Sequence, residues 1–406
     1  MMASRSFVKF ALIGYLFVTA MGFSPSNTSP PPPVSRATNL PNLCWTWRNH
    51  QVRYQVAYPS DKSVPSKGSA ILVHGLFVNS DHWRKTLKGL ADEGYTAYAL
   101  DLMGSGYSSK PSPRCEKSRE ILCGELRYFQ DKEGYKYDIA LGTANGGTRI
   151  VDRQELKHPC DSPYNFYTWS QQVNDFAKEI VKKDSDEPVT LVSNSIGTIT
   201  CLQSVLDCDC PTLYNGLFCI NPNFRELHSA EVPFSNISMP IVRAIQATLR
   251  SNGQILFDAL AKPNTVKQIL MEPYHVSEAV DDELVDVLLT PLLTPGASDV
   301  VFDTLSYSSG PLPEQQLSEE SFPESCPVRI CYGAKDPWTP SARVEKLKDL
   351  KSVESVVRLE GAGHCPMDET PELVNPLLID FMRMVRSNNN VQNKESTSLG
   401  KPFFVQ

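Results

Sequence analysis

The run Val189-Thr-Leu-Val-Ser193 passes directly into Asn194-Ser195-Ile196-Gly197 and then into a helical stretch, Gly197 to Val205. No other feature constrains the fold as much. A largely apolar, β-branched strand that turns straight into a helix fits the inside of a parallel sheet, where both strand faces are covered. Small residues two before and two after Ser195 allow the turn to be sharp. Such a turn lifts the serine Oγ clear of the sheet and aims a helix N-terminus at it. Ser193 stands where a glycine is usual, which adds crowding but keeps the position small. A pentapeptide of this kind recurs by chance. The strand before it and the amphipathic helix after it are what give it weight.

The remainder of the chain repeats the rhythm. From Cys44 to Arg386 short apolar runs alternate with helical stretches, the pattern of a mostly parallel sheet covered by helices on both faces. Strands are expected at Gln51 to Tyr58, Ser69 to His74, Thr96 to Asp101, Val189 to Asn194, Gly216 to Asn221, Val328 to Tyr332 and Val356 to Glu360. Helices are expected at Trp83 to Glu93, Thr168 to Lys183, Gly197 to Val205, Ala342 to Leu350 and Pro371 to Val385, the last with Thr370 as N-cap. The fold class is therefore α/β.

Two segments break the alternation. Residues 113–164 form an insertion in which Asn145-Gly-Gly147, between Tyr137-Asp-Ile-Ala-Leu and Thr148-Arg-Ile-Val, predicts a hairpin; it reads as surface decoration. Residues 222–323 separate two core strands by amphipathic stretches such as Pro240 to Leu249 and Ile255 to Leu260. An excursion of that length needs structure of its own, and a helical lid over the carboxyl edge of the sheet is expected.

A net charge of -7 and a pI near 5.6 exclude the clustered basic face that nucleic-acid binding needs. The 11 cysteines form no pairs with zinc spacing, and Cys208-Asp-Cys210 is too tight for a chelating knuckle. Cys219, in an apolar run, reads as a reduced core cysteine. Neither metal nor cofactor is expected.

The start of the chain has a different composition. Asp61 is the first acidic residue, and Arg5 and Lys9 precede the apolar run Phe10 to Phe23. That run has the length of a signal-peptide core and falls short of the ~20 residues that span a bilayer; a membrane anchor is the second reading. Ser26, Thr28, Ser29, four prolines, Ser35, Arg36 and Thr38 follow. This two-part layout resembles the bipartite presequence of algae with secondary plastids, which implies import into a plastid, with secretion or an endomembrane location as the alternative. Residues 1–43 are accordingly expected to be a presequence removed up to about Leu40, residues 44–386 the catalytic domain, and residues 387–406, rich in Asn, Ser and Gln, a disordered tail.

A serine at its free pKa is a poor nucleophile and needs a base, which needs an orienting carboxylate. After the elbow the chain should supply an Asp and then a His at later strand ends. Asp336 follows the strand that begins at Val328, and His364 lies in Gly361-Ala-Gly-His-Cys-Pro366 after the last strand. Taken singly, Asp336 could be a turn-initiating residue and His364 a satisfied loop histidine. Together, in that order and at those places, they predict a triad of Ser195, Asp336 and His364. Two backbone amides must receive the oxyanion: Ile196, after the nucleophile, and Leu76, in the turn that ends Ile71-Leu-Val-His-Gly75. His74 is expected to buttress that turn, and Asp101 to hold the loop that follows it.

With these residues placed, the chain resembles the α/β-hydrolase superfamily over nearly its whole folded length. Within it, the chain is similar to the chlorophyll dephytylase and pheophytinase group in Trp45-Thr-Trp-Arg48, Val52-Arg-Tyr-Gln55, Asn79-Ser-Asp-His-Trp-Arg84, Asp101-Leu-Met-Gly-Ser-Gly-Tyr-Ser108, Asn194-Ser-Ile-Gly197 and Lys335-Asp-Pro-Trp338. Ser308-Ser-Gly-Pro-Leu-Pro-Glu314, Gly363-His-Cys-Pro366 and Pro371-Glu-Leu-Val-Asn-Pro376 extend the likeness. Thr198, where a second glycine is usual, and the long insertion depart from it. The resemblance implies hydrolysis of a phytyl ester of chlorophyll or pheophytin, with no cofactor. It implies a lipid-tailed small-molecule substrate, with peripheral contact to thylakoid membranes open, and lid leucines such as Leu256 and Leu260 selecting the tail. A plastid esterase or lipase acting on another lipid ester shares every catalytic residue, and a non-enzymatic binding protein shares the fold. Epoxide hydrolases share the Asp101 to Ser108 style of loop but use a carboxylate nucleophile.

Overall fold

The computed structural model describes residues 30–399 apart from 64, 116, 117, 119, 120, 122–131, 134–137, 141–147, 151, 152, 226, 227, 230, 231 and 233. The chain opens with the antiparallel pair β1 (Leu43–Trp47) and β2 (His50–Ala57), followed by β3 (Ser69–Val73), α1 (Arg84–Asp92) and β4 (Thr96–Leu100). Two short antiparallel pairs come next, β5 (Lys132–Glu133) with β8 (Arg153–Gln154) and β6 (Asp138–Ala140) with β7 (Thr148–Ile150). Then follow α2 (Phe166–Phe176), β9 (Val189–Ser195), α3 (Ile196–Leu206) and β10 (Tyr214–Pro222). The cap comprises α4 (Ser235–Leu260), α5 (Pro263–Leu270), α6 (Asp282–Leu292), α7 (Ala297–Thr304) and α8 (Pro313–Leu317). The chain returns to the sheet with β11 (Val328–Gly333), α9 (Ser341–Lys346), β12 (Val353–Leu359), the short α10 (Pro366–Glu369) and the long α11 (Pro371–Leu399).

Eight strands form one sheet in the order β1-β2-β4-β3-β9-β10-β11-β12. From β4 onward all neighbours are parallel, while β1 and β2 run antiparallel at one edge. Every residue of β3, β4, β9 and β10 is buried, which explains why those strands read as continuous apolar runs. Successive residues serve opposite faces. Ile71 and Leu191 pack with Trp169, Val173 and Phe176 of α2, whereas Leu72 and Val192 pack with Leu87 and Leu90 of α1 and Phe381 of α11. At the antiparallel edge Arg53 is buried and donates to Asp81 at 2.7 Å and to Asp101 at 3.3 Å, closing a charged network inside the fold.

Several expectations change on contact with the structure. β1 was not anticipated, although Trp45 and Trp47 alternate inward with exposed Thr46. The two lid helices expected at Pro240 to Leu249 and Ile255 to Leu260 are one, α4, because Gly253 continues the helix beneath Phe302. A Cβ at Gly253 would stand 2.2 Å from that ring, so glycine here permits close helix packing. The pairing of β6 with β7 fits the expected hairpin, although Asn145 to Gly147 lies outside the described residues. The insertion is more than decoration: His158 is buried and stacks on Tyr307 of the cap at 4.9 Å, and Gly310 donates to the Glu155 carbonyl at 2.8 Å.

Both ends of the folded part move outward. The buried Ser35 hydroxyl donates to Asp81 at 2.6 Å, and Asn42 accepts from Arg53 at 2.8 Å, so the chain before Cys44 docks on the fold. Removal up to Leu40 would strip a partner from the Arg53 network. At the other end, α11 runs to Leu399 rather than stopping at Val385.

Candidate active site

β9 delivers Ser195 to the carboxyl edge of the sheet with φ 56° and ψ −123°, a conformation L-residues rarely adopt. The strain is local to the strand-to-helix turn, and α3 begins at the next residue. Gly197 makes the turn possible, since a Cβ there would meet the Val73 carbonyl at 2.5 Å. Ser193 and Thr198, which depart from the glycines usual at those places, face each other with hydroxyls 3.1 Å apart. Two departures thus become one buried hydrogen bond.

The loop after β3 reaches the same spot because Val73 and Ser193 are register partners. A Cβ on Gly75 would lie 3.2 Å from that of Ser195, so the turn carrying Leu76 is against the elbow. His74 holds the turn: its Nε2 accepts from the Leu102 amide at 3.0 Å, which leaves Nδ1 to donate to the Gly75 carbonyl at 2.7 Å. Burial pushes its imidazole below the ordinary histidine value, which keeps it neutral. Asp101 accepts from the amides of Ser80 at 2.8 Å and Tyr107 at 2.7 Å, tying down both neighbouring loops. Burial alone would raise its carboxyl, but Arg53 beside it holds it below the usual range.

Asp336 and His364 come from the ends of β11 and β12 and meet there, Nδ1 to Oδ2 at 2.6 Å. The second Asp336 oxygen accepts from the Trp338 amide at 2.7 Å. Burial works against the Asp336 anion. The neighbouring His364 and the hydrogen bonds outweigh it and lower the carboxyl. Asn194 links this pair to the elbow, its amide donating to the carbonyls of His364 and Ile220, each at 3.2 Å. Ser195 and His364 are both nearly buried, at 5% and 3% exposure.

Two residues that the sequence reading missed organise the site. Asn221, buried at the end of β10 with φ 48°, donates to Asp336 Oδ2 and accepts from the Gly333 amide at 3.3 Å. The Asn-Pro step ending an apolar strand was the available signal. Glu369 accepts from the amides of Gly363 at 2.8 Å and Cys365 at 3.2 Å, flanking His364, and from His275 at 2.8 Å and Val276 at 2.9 Å in the cap. One buried carboxylate thus joins the histidine loop to the cap.

Leu76 and Ile196 form part of the floor of a cavity of about 490 Å³ that opens to solvent. Leu288, Pro291 and Leu292 of α6, with Val300, Val301 and Thr304 of α7, supply its cap side. Leu256 and Leu260 are not among its lining residues, because α4 lies behind α7. Among the described residues no group of His, Cys, Asp and Glu side chains could hold a metal ion.

Known proteins resemble the chain at two levels. Pheophytinase, chloroplastic, of Arabidopsis thaliana is 21% identical over 351 residues, spanning 83% of this chain and 65% of that protein, just under two thirds of its length. Bifunctional epoxide hydrolase 2 of Rattus norvegicus is 34% identical over 93 residues, 23% of this chain and 17% of that protein. Among solved structures, a serine hydrolase involved in carbazole degradation superposes with a TM-score of 0.56 at 15% identity, covering 85% of this chain and 99% of its own, which shows the fold. The model of the alpha/beta hydrolase family matches residues 70–377, from β3 into α11 and thus the whole site, and the chain belongs to that family.

Proposed function

We propose that the protein is a serine carboxylic-ester hydrolase that removes phytol from chlorophyll or pheophytin, with Ser195 as nucleophile, His364 as base, Asp336 as its orienting carboxylate, and the amides of Leu76 and Ile196 as oxyanion donors. The observation that carries this reading is the 2.6 Å contact of His364 Nδ1 with Asp336, beside a serine in a strained elbow. In that arrangement the carboxylate fixes the tautomer in which Nε2 is free to accept a proton.

Ser195 Oγ attacks the ester carbonyl carbon and passes its proton to His364 Nε2. The C–O bond to the alcohol breaks, the alcohol leaves with that proton, and the acid remains bound to Oγ. Water, deprotonated by the same histidine, then releases the acid and restores the serine. Negative charge on the carbonyl oxygen develops beside the N-terminus of α3, where helix amides favour it.

The choice of ester is supported by the likeness to pheophytinase across most of the chain and by the apolar cavity between the elbow and the cap. The acid-free start and the chloroplastic location in that relative's name support a plastid address. Labelling by a fluorophosphonate, lost in Ser195→Ala, tests the nucleophile. Incubation with chlorophyll and with pheophytin side by side, followed by chromatography for phytol, tests the substrate; release from neither, with p-nitrophenyl esters still cleaved, would leave an esterase of another lipid.

A further inference from the structure

The turn that carries His364 is held from two sides. Its carbonyls face the sheet: Asn221 donates to that of Gly363 at 3.4 Å and Asn194 to that of His364 at 3.2 Å. Its amides face the cap. Gly363 and Cys365 donate to Oε1 of the buried Glu369 at 2.8 and 3.2 Å, and His364 between them donates to the Pro273 carbonyl at 2.7 Å. Oε2 of Glu369 accepts from two further amides between α5 and α6, His275 at 2.8 Å and Val276 at 2.9 Å. The packing leaves no room between turn and cap, since a Cβ on Gly363 would stand 2.4 Å from the Pro273 carbonyl oxygen and 2.7 Å from the His275 nitrogen.

We propose that Glu369 is a positioning residue that makes catalysis conditional on the seat of the cap: His364 lies in register with Ser195 only while residues 273–276 are docked on its turn. The inference rests on the reading of Ser195 and His364 as nucleophile and base, and adds to it a control by the cap. Four N–H groups converging on two oxygens suit an ionised carboxylate, which accepts on both and donates from neither. Glutamine keeps the shape but turns an NH2 group towards one amide pair, whichever way it is oriented.

The same stretch of the cap is pinned further along. The Tyr274 hydroxyl donates to Asp368 at 3.1 Å, and Arg84 donates to the Ala279 carbonyl at 3.3 Å and to Asp281 at 3.2 Å. Asp281 then caps α6, whose Leu288, Pro291 and Leu292 line the cavity. Cavity wall and base therefore hang on one run of backbone, and a shift of the base by about 1 Å is enough to cost ~100-fold in rate.

The full chain is assayed with p-nitrophenyl acetate and labelled in parallel with a fluorophosphonate. Glu369→Gln should lower kcat about 10- to 100-fold and leave KM within about twofold, because the altered group never touches substrate. Gly363→Ala, which drives a methyl between the turn and the cap, should give the same split, and it decides alone if the glutamine variant does not fold. Asp281→Ala is the control for loosening as such: it removes the α6 cap and the Arg84 contact but no bond to the turn, so it should lower Tm and keep wild-type kcat. Folded Glu369→Gln or Gly363→Ala with wild-type kcat would overturn the inference and leave the ester reading standing. A loss confined to KM would overturn it too, as would a fall of kcat in Asp281→Ala equal to that in Glu369→Gln. Failure of Ser195 to take up the fluorophosphonate in the wild-type chain is the distinct result that brings down the ester reading, and this inference with it.

Discussion

Two arginines, Arg53 buried and Arg225 half-buried, show how differently the sheet and the cap are built. In the sheet, Arg53 lies between Asp81 and Asp101, whose charges hold its guanidinium above the ordinary value against the effect of burial. At the base of the cap, Arg225 donates to the carbonyls of Tyr307 and Ser309 and sits over the rings of Phe166 at 4.7 Å and Tyr307 at 4.6 Å. Burial pushes it down to about 10. The first arrangement neutralises charge with charge and fixes loops around the elbow. The second solvates a cation with dipoles and aromatic faces, and it joins segments that are far apart in the chain. The helices differ in the same sense: α1 and α11 press their apolar faces against the sheet, whereas α4 is held by one face and exposes the other. Rigid support thus lies under the catalytic candidates, and adaptable surface lies in the cap.

The contrast can be broken most severely in the core. Ser195→Ala and His364→Ala should each lower kcat by about 10⁵- to 10⁶-fold, and the double variant should lose little more, because the residues act as a unit. Pre-steady-state and steady-state assays with p-nitrophenyl acetate would read this, and near-wild-type turnover in purified Ser195→Ala would remove the mechanism. Asp336→Asn should cost about 10⁴-fold by releasing the tautomer that leaves Nε2 free. Next in size, Asn221→Ala should lower kcat by about 10- to 100-fold with little change in KM, since it removes a hydrogen bond to a charged group that never touches substrate. A loss confined to KM would mean that Asn221 shapes the pocket instead.

In the cap the effects should be smaller and should depend on the substrate. Leu292→Asp and Val301→Asp, at half-buried cavity-lining positions, should depress turnover of a long-chain ester at least about tenfold more than that of p-nitrophenyl acetate, in line with ~0.8 kcal/mol per buried methylene. Equal losses on both esters would place tail recognition elsewhere. Leu256 and Leu260, expected from the sequence to select the tail, do not line the cavity and serve as controls.

The gentlest prediction concerns acid. Burial holds His82 near 4 and His158 and His228 near 3, so between about pH 4 and pH 6 the unfolded chain carries three protons that the fold does not. Burial also raises Asp207 and Asp303 to about 6, so in the same window the fold carries two protons that the unfolded chain does not. His74, lowered in the same way, adds to the three, so the unfolded state is richer by at least one. Stability should therefore fall as pH drops through this window, by at least roughly 1.4 kcal/mol per pH unit. Asp303→Asn removes one opposing proton and should steepen the slope in denaturant titrations; a flatter slope would mean that the carboxyl is already ionised there.

The sequence by itself determined the class of the sheet, the elbow at Ser195 and the order of Asp336 and His364. These are written locally. Continuous apolar runs mark strands covered on both faces, and small residues around a serine mark a tight turn. β1 is legible in the same terms, through the alternation of Trp45 and Trp47 with exposed Thr46. Only the tertiary structure decided that Asn221 steadies Asp336, since 115 positions separate them, and that Glu369 ties the histidine loop to His275, across 94. It also decided that α4 is continuous, that α6 and α7 rather than α4 line the cavity, and that Ser35 belongs to the fold. Periodicity reports that a residue is buried or exposed along its own element. It carries no information on which distant backbone amide a carboxylate satisfies, or on which of two apolar helix faces finds a partner, because those depend on where other elements come to rest.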